Sequence, residues 1–211
     1  MDGIRLRAVG GVIGPVAFVG AWSLAGPSAR NYSATQDAIS RLAETGAPTR
    51  VAMTAGLVAF GIGVPFYATA LRRTLDGWAW VTGFATGVAT LGVAAVPLGS
   101  PTSDVVHGCF ATAGYITLAA TPLLASRAFA RAGRSAWARA SLLSGFVSGS
   151  CLLATIAGPG HGLLQRLGLG AVDVWIVATA IEIMRTGGLA GEPRRNAPSP
   201  FPRPRSATIE R

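Results

Sequence analysis

Long apolar blocks alternate with short polar, arginine-bearing breaks along most of the chain. The blocks run from about Ala8 to Ala25, Val51 to Leu71, Trp78 to Leu98, Val105 to Ala125, Ala140 to Ala157 and Leu163 to Met184. Each approaches the ~20 residues that a helix needs to cross a hydrocarbon core of ~30 Å. The pattern predicts an all-α protein, a polytopic membrane bundle with six transmembrane helices over residues 1–185. The longest break, Pro27 to Arg50, carries Ile39 and Leu42 at the spacing of a short amphipathic helix. Beyond Arg185 the composition turns to Pro, Arg and Ser, so residues 186–211 are expected to be a disordered cytoplasmic tail.

Composition supports this reading. Of 211 residues half are hydrophobic and only 13% charged, against roughly 25% charged in a soluble domain. Six spans leave no length for a second folded domain. The first block follows Arg5 and Arg7 as a signal peptide would, but Gly26-Pro27-Ser28 is a poor cleavage site, so a retained span is expected.

The net charge of +9 comes from 18 arginines, with no lysine. They sit between apolar blocks and in the tail, which is topology information and not a nucleic-acid footprint. Fourteen of the eighteen fall in the N-terminus, the second and fourth breaks and the tail, which predicts both termini in the cytoplasm. The expected location is a bacterial cell membrane, the partners being lipid and a hydrophobic small molecule. Cys109 and Cys151 fall inside spans and read as small hydrophobes.

Gly10-x-x-x-Gly14, Gly83-x-x-x-Gly87 and Gly145-x-x-x-Gly149 are spaced for close helix packing. Pro15, Pro65, Pro97 and Pro122 are expected to kink spans or mark their ends.

Candidate chemistry gathers at one face of this topology. His107 and His161 fall there, with Asp37, Glu44, Asp104, Arg41 and Arg166. Three readings fit: acid–base exchange with a substrate, a divalent metal held by two imidazoles and carboxylates, or interfacial residues that cap and anchor helices. Asp104-x-x-His107 can place both side chains on one helical face. The sequence assigns no cofactor. Asp173 lies about ten residues into the last span, ~15 Å deep at 1.5 Å per residue. An ionisable group at that depth must face the bundle interior or water. It reads either as a proton donor in an apolar pocket or as one end of an interhelical hydrogen bond to Thr90, Thr117 or Ser148. Glu182 is expected to reach the cytoplasmic surface, and Trp175 to pack in the core or line a cavity.

Gly11-Val-Ile-Gly-Pro15, Tyr32-Ser33, Asp37-Ala-Ile-Ser40, Leu42 and Gly46-Ala-Pro48 resemble a bacterial six-span membrane family, domain of unknown function 998. The turn Pro97 to Asp104, His107-Gly108 and Gly162-Leu-Leu-Gln-Arg166 resemble it too. The resemblance implies a helical bundle and draws attention to Asp37, Ser40, Asp104, His107 and Arg166, but brings no activity. Val96-Pro97 stands where an aromatic-Pro pair is expected, and Asp173 is not a position associated with the family.

Three functions fit. A membrane-embedded enzyme would apply acid–base chemistry to an apolar substrate, by terpene cyclase-like isoprenoid cyclisation or lipid modification, with Asp37, Asp104, His107, His161 and Asp173 as candidate catalytic residues. A small transporter subunit is the second, although no inverted repeat is detectable. The third is an accessory or structural membrane protein without catalysis.

Overall fold

The computed structural model describes residues 3–156 and 159–189, and no strand occurs among them. α1 (Gly3–Ala8) and α2 (Gly10–Ala25) make one near-continuous segment. It is followed by α3 (Arg50–Thr74), α4 (Ala79–Ala95), α5 (Pro101–Arg131), α6 (Ser135–Ala154) and α7 (His161–Thr186). With α1 and α2 counted as one, the bundle has six helices. Beyond residue 189 the expected tail lies outside the described residues.

Helix ends follow local chemistry. Pro97 disfavours helical backbone at the residue before it, so α4 stops at Ala95 and Val96 turns away at φ −117° and ψ 83°. α5 opens with a reciprocal cap between Ser100 and Ser103 and with Pro101 in its first turn. It runs on to Arg131, past the apolar block, because arginine stems can lie along a helix with their heads in water. α7 ends at Gly187, whose left-handed φ of 78° suits a residue without a Cβ.

Consecutive helices pack antiparallel, and α7 returns to α2 to close a ring. Glycines make the closest approaches. A Cβ on Gly10 would collide with the Gly63 carbonyl, one on Gly87 with Pro65, and one on Gly145 with Leu123. The small-residue motifs therefore serve contacts within the chain. Large apolar side chains such as Ile13, Phe66, Val88, Ile116, Phe146 and Val174 face outward around the ring, as a lipid-facing surface requires. Four segments are long and apolar enough to cross a membrane: Gly3–Ser28, Arg50–Thr74, Pro101–Arg131 and His161–Thr186. α4 is apolar but has only 17 residues, and α6 has 20, Arg139 and five serines among them.

The two ends of the bundle differ. One, the basic end, holds Arg5, Arg7, Arg72, Arg73, Arg134 and Arg185. There the Tyr67 hydroxyl bonds Thr179 at 2.6 Å, joining α3 to α7, and Trp175 donates its indole N–H to Ser141 at 2.8 Å. Trp175 is thus core packing. Glu182, expected to reach the cytoplasmic surface, accepts from Arg134 at 2.7 Å at this end. The turn between α5 and α6 brings that arginine over α7, where it also donates to the Leu189 carbonyl.

Candidate functional site

The other end is capped by the segment between α2 and α3. Its centre is a 3-10 turn, Ile39–Ala43, where a short amphipathic helix was expected. The predicted apolar pair still points inward: Ile39 is 3% exposed and Leu42 1%.

The first turns of α7 hold the cap down. Arg166 donates to the carbonyls of Ala34 (2.6 Å), Asp37 (3.2 Å) and Gly162 (2.8 Å), and to the Tyr32 hydroxyl. Its guanidinium also lies over the rings of Trp22 and Tyr32. Leu163 N–H donates to the Thr35 carbonyl at 3.0 Å and Gly160 N–H to the Gln36 side chain at 2.8 Å. Gly162 has no room for a side chain, since a Cβ would stand 2.5 Å from the Asp37 carbonyl oxygen. Half-burial of Tyr32 raises its phenol above the ordinary value, and the neighbouring Arg166 only partly opposes this.

The residues expected to share one site divide into separate roles. Asp37 accepts from Ser33 N–H at 2.7 Å and pairs with Arg41 at 3.5 Å, while Arg41 also meets Glu44 at 3.6 Å. Asp104 is exposed and accepts from Gly99 N–H at 2.9 Å, fastening the turn that leads into α5. His161 is the half-buried first residue of α7. No hydrogen bond joins either histidine to a carboxylate among the described residues. Nor do three or more His, Cys, Asp or Glu side chains there come together as a metal site would require.

His107 and Asp173 share something else. Both line one interior cavity of about 70 Å³, walled by α2, α3, α4, α5 and α7 and roofed by Ile39 and Ser40. Along α5 its wall runs from His107 to Leu118, ~16 Å of helix, and along α7 from Gln165 to Asp173, ~12 Å. The lining is thus longer than the open volume fills, so an occupant as long as the wall would require its side chains to move apart. Phe18, Phe60, Phe110, Leu57, Val93 and Leu169 give it an apolar lining.

Its polar groups are few and distinct. His107 is 5% exposed, and its Nδ1 lies 2.7 Å from the Val96 carbonyl. A carbonyl can only accept, so Nδ1 carries the hydrogen, and Nε2 is left buried with no partner among the described residues. Asp173 is 4% exposed, and neither of its carboxyl oxygens has a partner there. The interhelical bond that was one of its two readings is not made among the described residues. The hydroxyls of Thr90 and Thr117 donate to their own helices, and the Ser148 hydroxyl is itself unpartnered. Between these ends, Gln165 accepts from Ile39 N–H at 2.8 Å and donates to the Tyr115 hydroxyl. No Arg side chain lines the cavity.

Sequence reasoning did not single out Tyr115 or Gln165. The available signal was a neutral amide and a phenol inside apolar spans, which needs partners when buried.

A ring of apolar helices around a cavity with a few convergent polar groups defines a multi-pass membrane protein with an interior cavity. Residues 12–182 match the family described as "Protein of unknown function (DUF998)", and the chain belongs to that family. The match contains every residue that lines the cavity. No curated protein and no solved structure matches the chain.

Proposed function

We propose that the protein is an enzyme of the cell membrane, with both termini in the cytoplasm, that applies acid–base chemistry to an elongated apolar substrate of isoprenoid or lipid type. One observation carries the reading: a buried carboxyl with no partner of its own ends an apolar-walled slot. Keeping such a group costs stability, which makes it a candidate for function.

In this reading the chain lies along the slot with its unsaturated end at Asp173. The Asp173 acid gives its proton to one carbon of a double bond, leaving a cation on the other. That cation closes a ring or shifts its double bond, and a neighbouring carbon returns a proton to the Asp173 carboxylate. Atoms and electrons balance without an oxidant. The aromatic walls limit access of water to the cation. His107 Nε2, nearer the mouth, is the second group able to take a proton. Asp37 and Asp104 are assigned to holding the cap and the head of α5, and His161 to the mouth.

Asp173→Asn tests the assignment. The amide keeps shape and hydrogen bonding but cannot act as the acid. With polyprenyl substrates supplied to membranes, the variant should reach normal protein level and form no product by mass spectrometry. Normal product would remove Asp173 from the chemistry. Orientation is tested by reporter fusions, expected cytoplasmic after Arg73 and Arg139 and external after Gly46.

A further inference from the structure

We infer that the substrate carries a neutral oxygen acceptor (an alcohol, ether or carbonyl) held by the Tyr115 hydroxyl, and that its phosphorylated counterparts are excluded. The inference rests on the cavity being the substrate site proposed above.

The argument is one of hydrogen-bond polarity. Ile39 contributes a backbone N–H, which can only donate, so the Gln165 side chain must face it with its oxygen. The amide nitrogen of Gln165 then points to Tyr115 and can only donate to the phenol oxygen. The phenol's own hydrogen has no acceptor among the described residues, and Tyr115 lines the cavity. Tyr115 is therefore set as a donor to whatever occupies the slot. Because the relay starts at the cap, the donor is set while the cap is seated.

Charge completes the assignment. A phosphate in the slot would need fixed cations, and no Arg lines it; His107 presents its bare Nε2, an acceptor while Nδ1 holds the hydrogen against Val96. The two terminal nitrogens of Arg166 are committed to three carbonyls and the Tyr32 hydroxyl, and its guanidinium lies over two rings. Only its buried Nε has no partner among the described residues, and Arg41 is committed to Asp37 and Glu44. A phosphate at the Tyr115 end of the slot would find an apolar wall and one neutral donor. A single ether or hydroxyl oxygen asks for no more than Tyr115 supplies. Gln165 lies eight residues from Asp173 on α7, so the oxygen would sit ~12 Å along the helix from the acid. This leaves an apolar chain between the two.

The test uses the full chain in nanodiscs and three ligands on one skeleton: farnesyl methyl ether, the hydrocarbon farnesene and farnesyl diphosphate. Displacement of tritiated ether should rank ether first, by roughly three- to tenfold over the hydrocarbon, with the diphosphate weakest. Tyr115→Phe should bring the ether down to the hydrocarbon and leave hydrocarbon binding unchanged. Gln165→Met, which frees the Tyr115 hydroxyl from its donor, should lower the ratio of ether to hydrocarbon affinity, a readout that a merely structural glutamine would not move. Equal or tighter diphosphate binding, a preference that survives in Tyr115→Phe, or no saturable ether binding by the wild type would each overturn the inference. If Tyr115→Phe fails to fold, the wild-type ranking decides alone. Repeating the ranking in Asp173→Asn separates the two proposals. Intact oxygen preference with no turnover by the wild type sinks only the enzymatic reading, and turnover without the preference sinks only this one.

Discussion

The basic half and the capped half of the bundle use polar side chains in opposite ways. In the basic half they meet one another: Tyr67 with Thr179, Trp175 with Ser141, Arg134 with Glu182. Arg72 lies over Trp80 there, and Phe129 stacks on Trp137. Arg5 Nε is the one buried side-chain polar atom near that end without a partner among the described residues. In the capped half the pairing is concentrated in the cap, and the slot beneath it leaves His107 Nε2 and both Asp173 oxygens unmatched. A scaffold alone has no use for that difference. The paired half ties the helices to one another, and in the proposed reading the unpaired groups are where a ligand would supply what the protein does not.

The largest effect that can break this comparison is expected at Arg166. Its removal strips the cap of bonds to two of its own carbonyls and to the Tyr32 hydroxyl. With charged hydrogen bonds contributing ~1.5–3 kcal/mol each and not adding fully, Arg166→Ala should cost about 3 kcal/mol or more. Trypsin gives the local readout. Arg41 lies in the cap, and cleavage after it should become rapid in the variant while the wild type resists. Continued protection would mean that the backbone bonds of Leu163 and Gly160 suffice.

Asp173→Leu comes next, and its sign is the informative part. Replacing an unmatched buried carboxyl by an apolar side chain of similar size should raise stability by about 1–3 kcal/mol, read as a higher thermal midpoint in detergent. Tyr67→Phe, in the paired half, should instead lower it by about 1 kcal/mol. It removes one bond, while Thr179 keeps its contacts to the Trp175 and Ile176 carbonyls. If Asp173→Leu destabilised the protein, the acid would have a structural partner and the contrast between the halves would vanish.

How much of this was legible in the sequence depends on the kind of interaction. The helices were, because span-length apolar blocks have few alternatives in a membrane. Ile39 and Leu42 were seen as a buried pair, although a 3-10 turn and not an α-helix presents them. Asp173 stood out because a lone acid deep in an apolar span has no ordinary reason to be there. The grouping of acids and histidines at one face was less informative. All lie at the capped end, but Asp104 turns to Gly99, Asp37 to Ser33 and Arg41, and His107 to Val96. Sequence position gives the end of a helix and not the bearing of a side chain. Gln165 and Tyr115 escaped notice because their roles depend on a backbone N–H more than 120 residues away from Gln165, at Ile39.

The smallest effect sharpens the account of the cap through pH. Desolvation holds the Tyr32 phenol above its ordinary value of 10.0, and Asp37 adds to this while Arg166 opposes it. The folded protein therefore grips that proton more tightly than the unfolded chain does. Above pH ~10 the folded state binds more protons than the unfolded one, so stability is whole below that pH and falls as pH rises beyond it. Arg166 stays charged throughout this window, so the slope belongs to the phenol. Since Tyr32 is only half-buried, the loss should be small, visible as a thermal midpoint that drops faster above pH ~10 in the wild type than in Tyr32→Phe. The phenylalanine keeps the ring under the Arg166 guanidinium and gives up only the hydroxyl, so the two curves should differ by a constant offset at lower pH and converge as the phenol ionises. Parallel curves across the whole range would show that Tyr32 titrates without regard to the fold, and would leave the Ala34 and Asp37 carbonyls as Arg166's hydrogen-bonded hold on the cap.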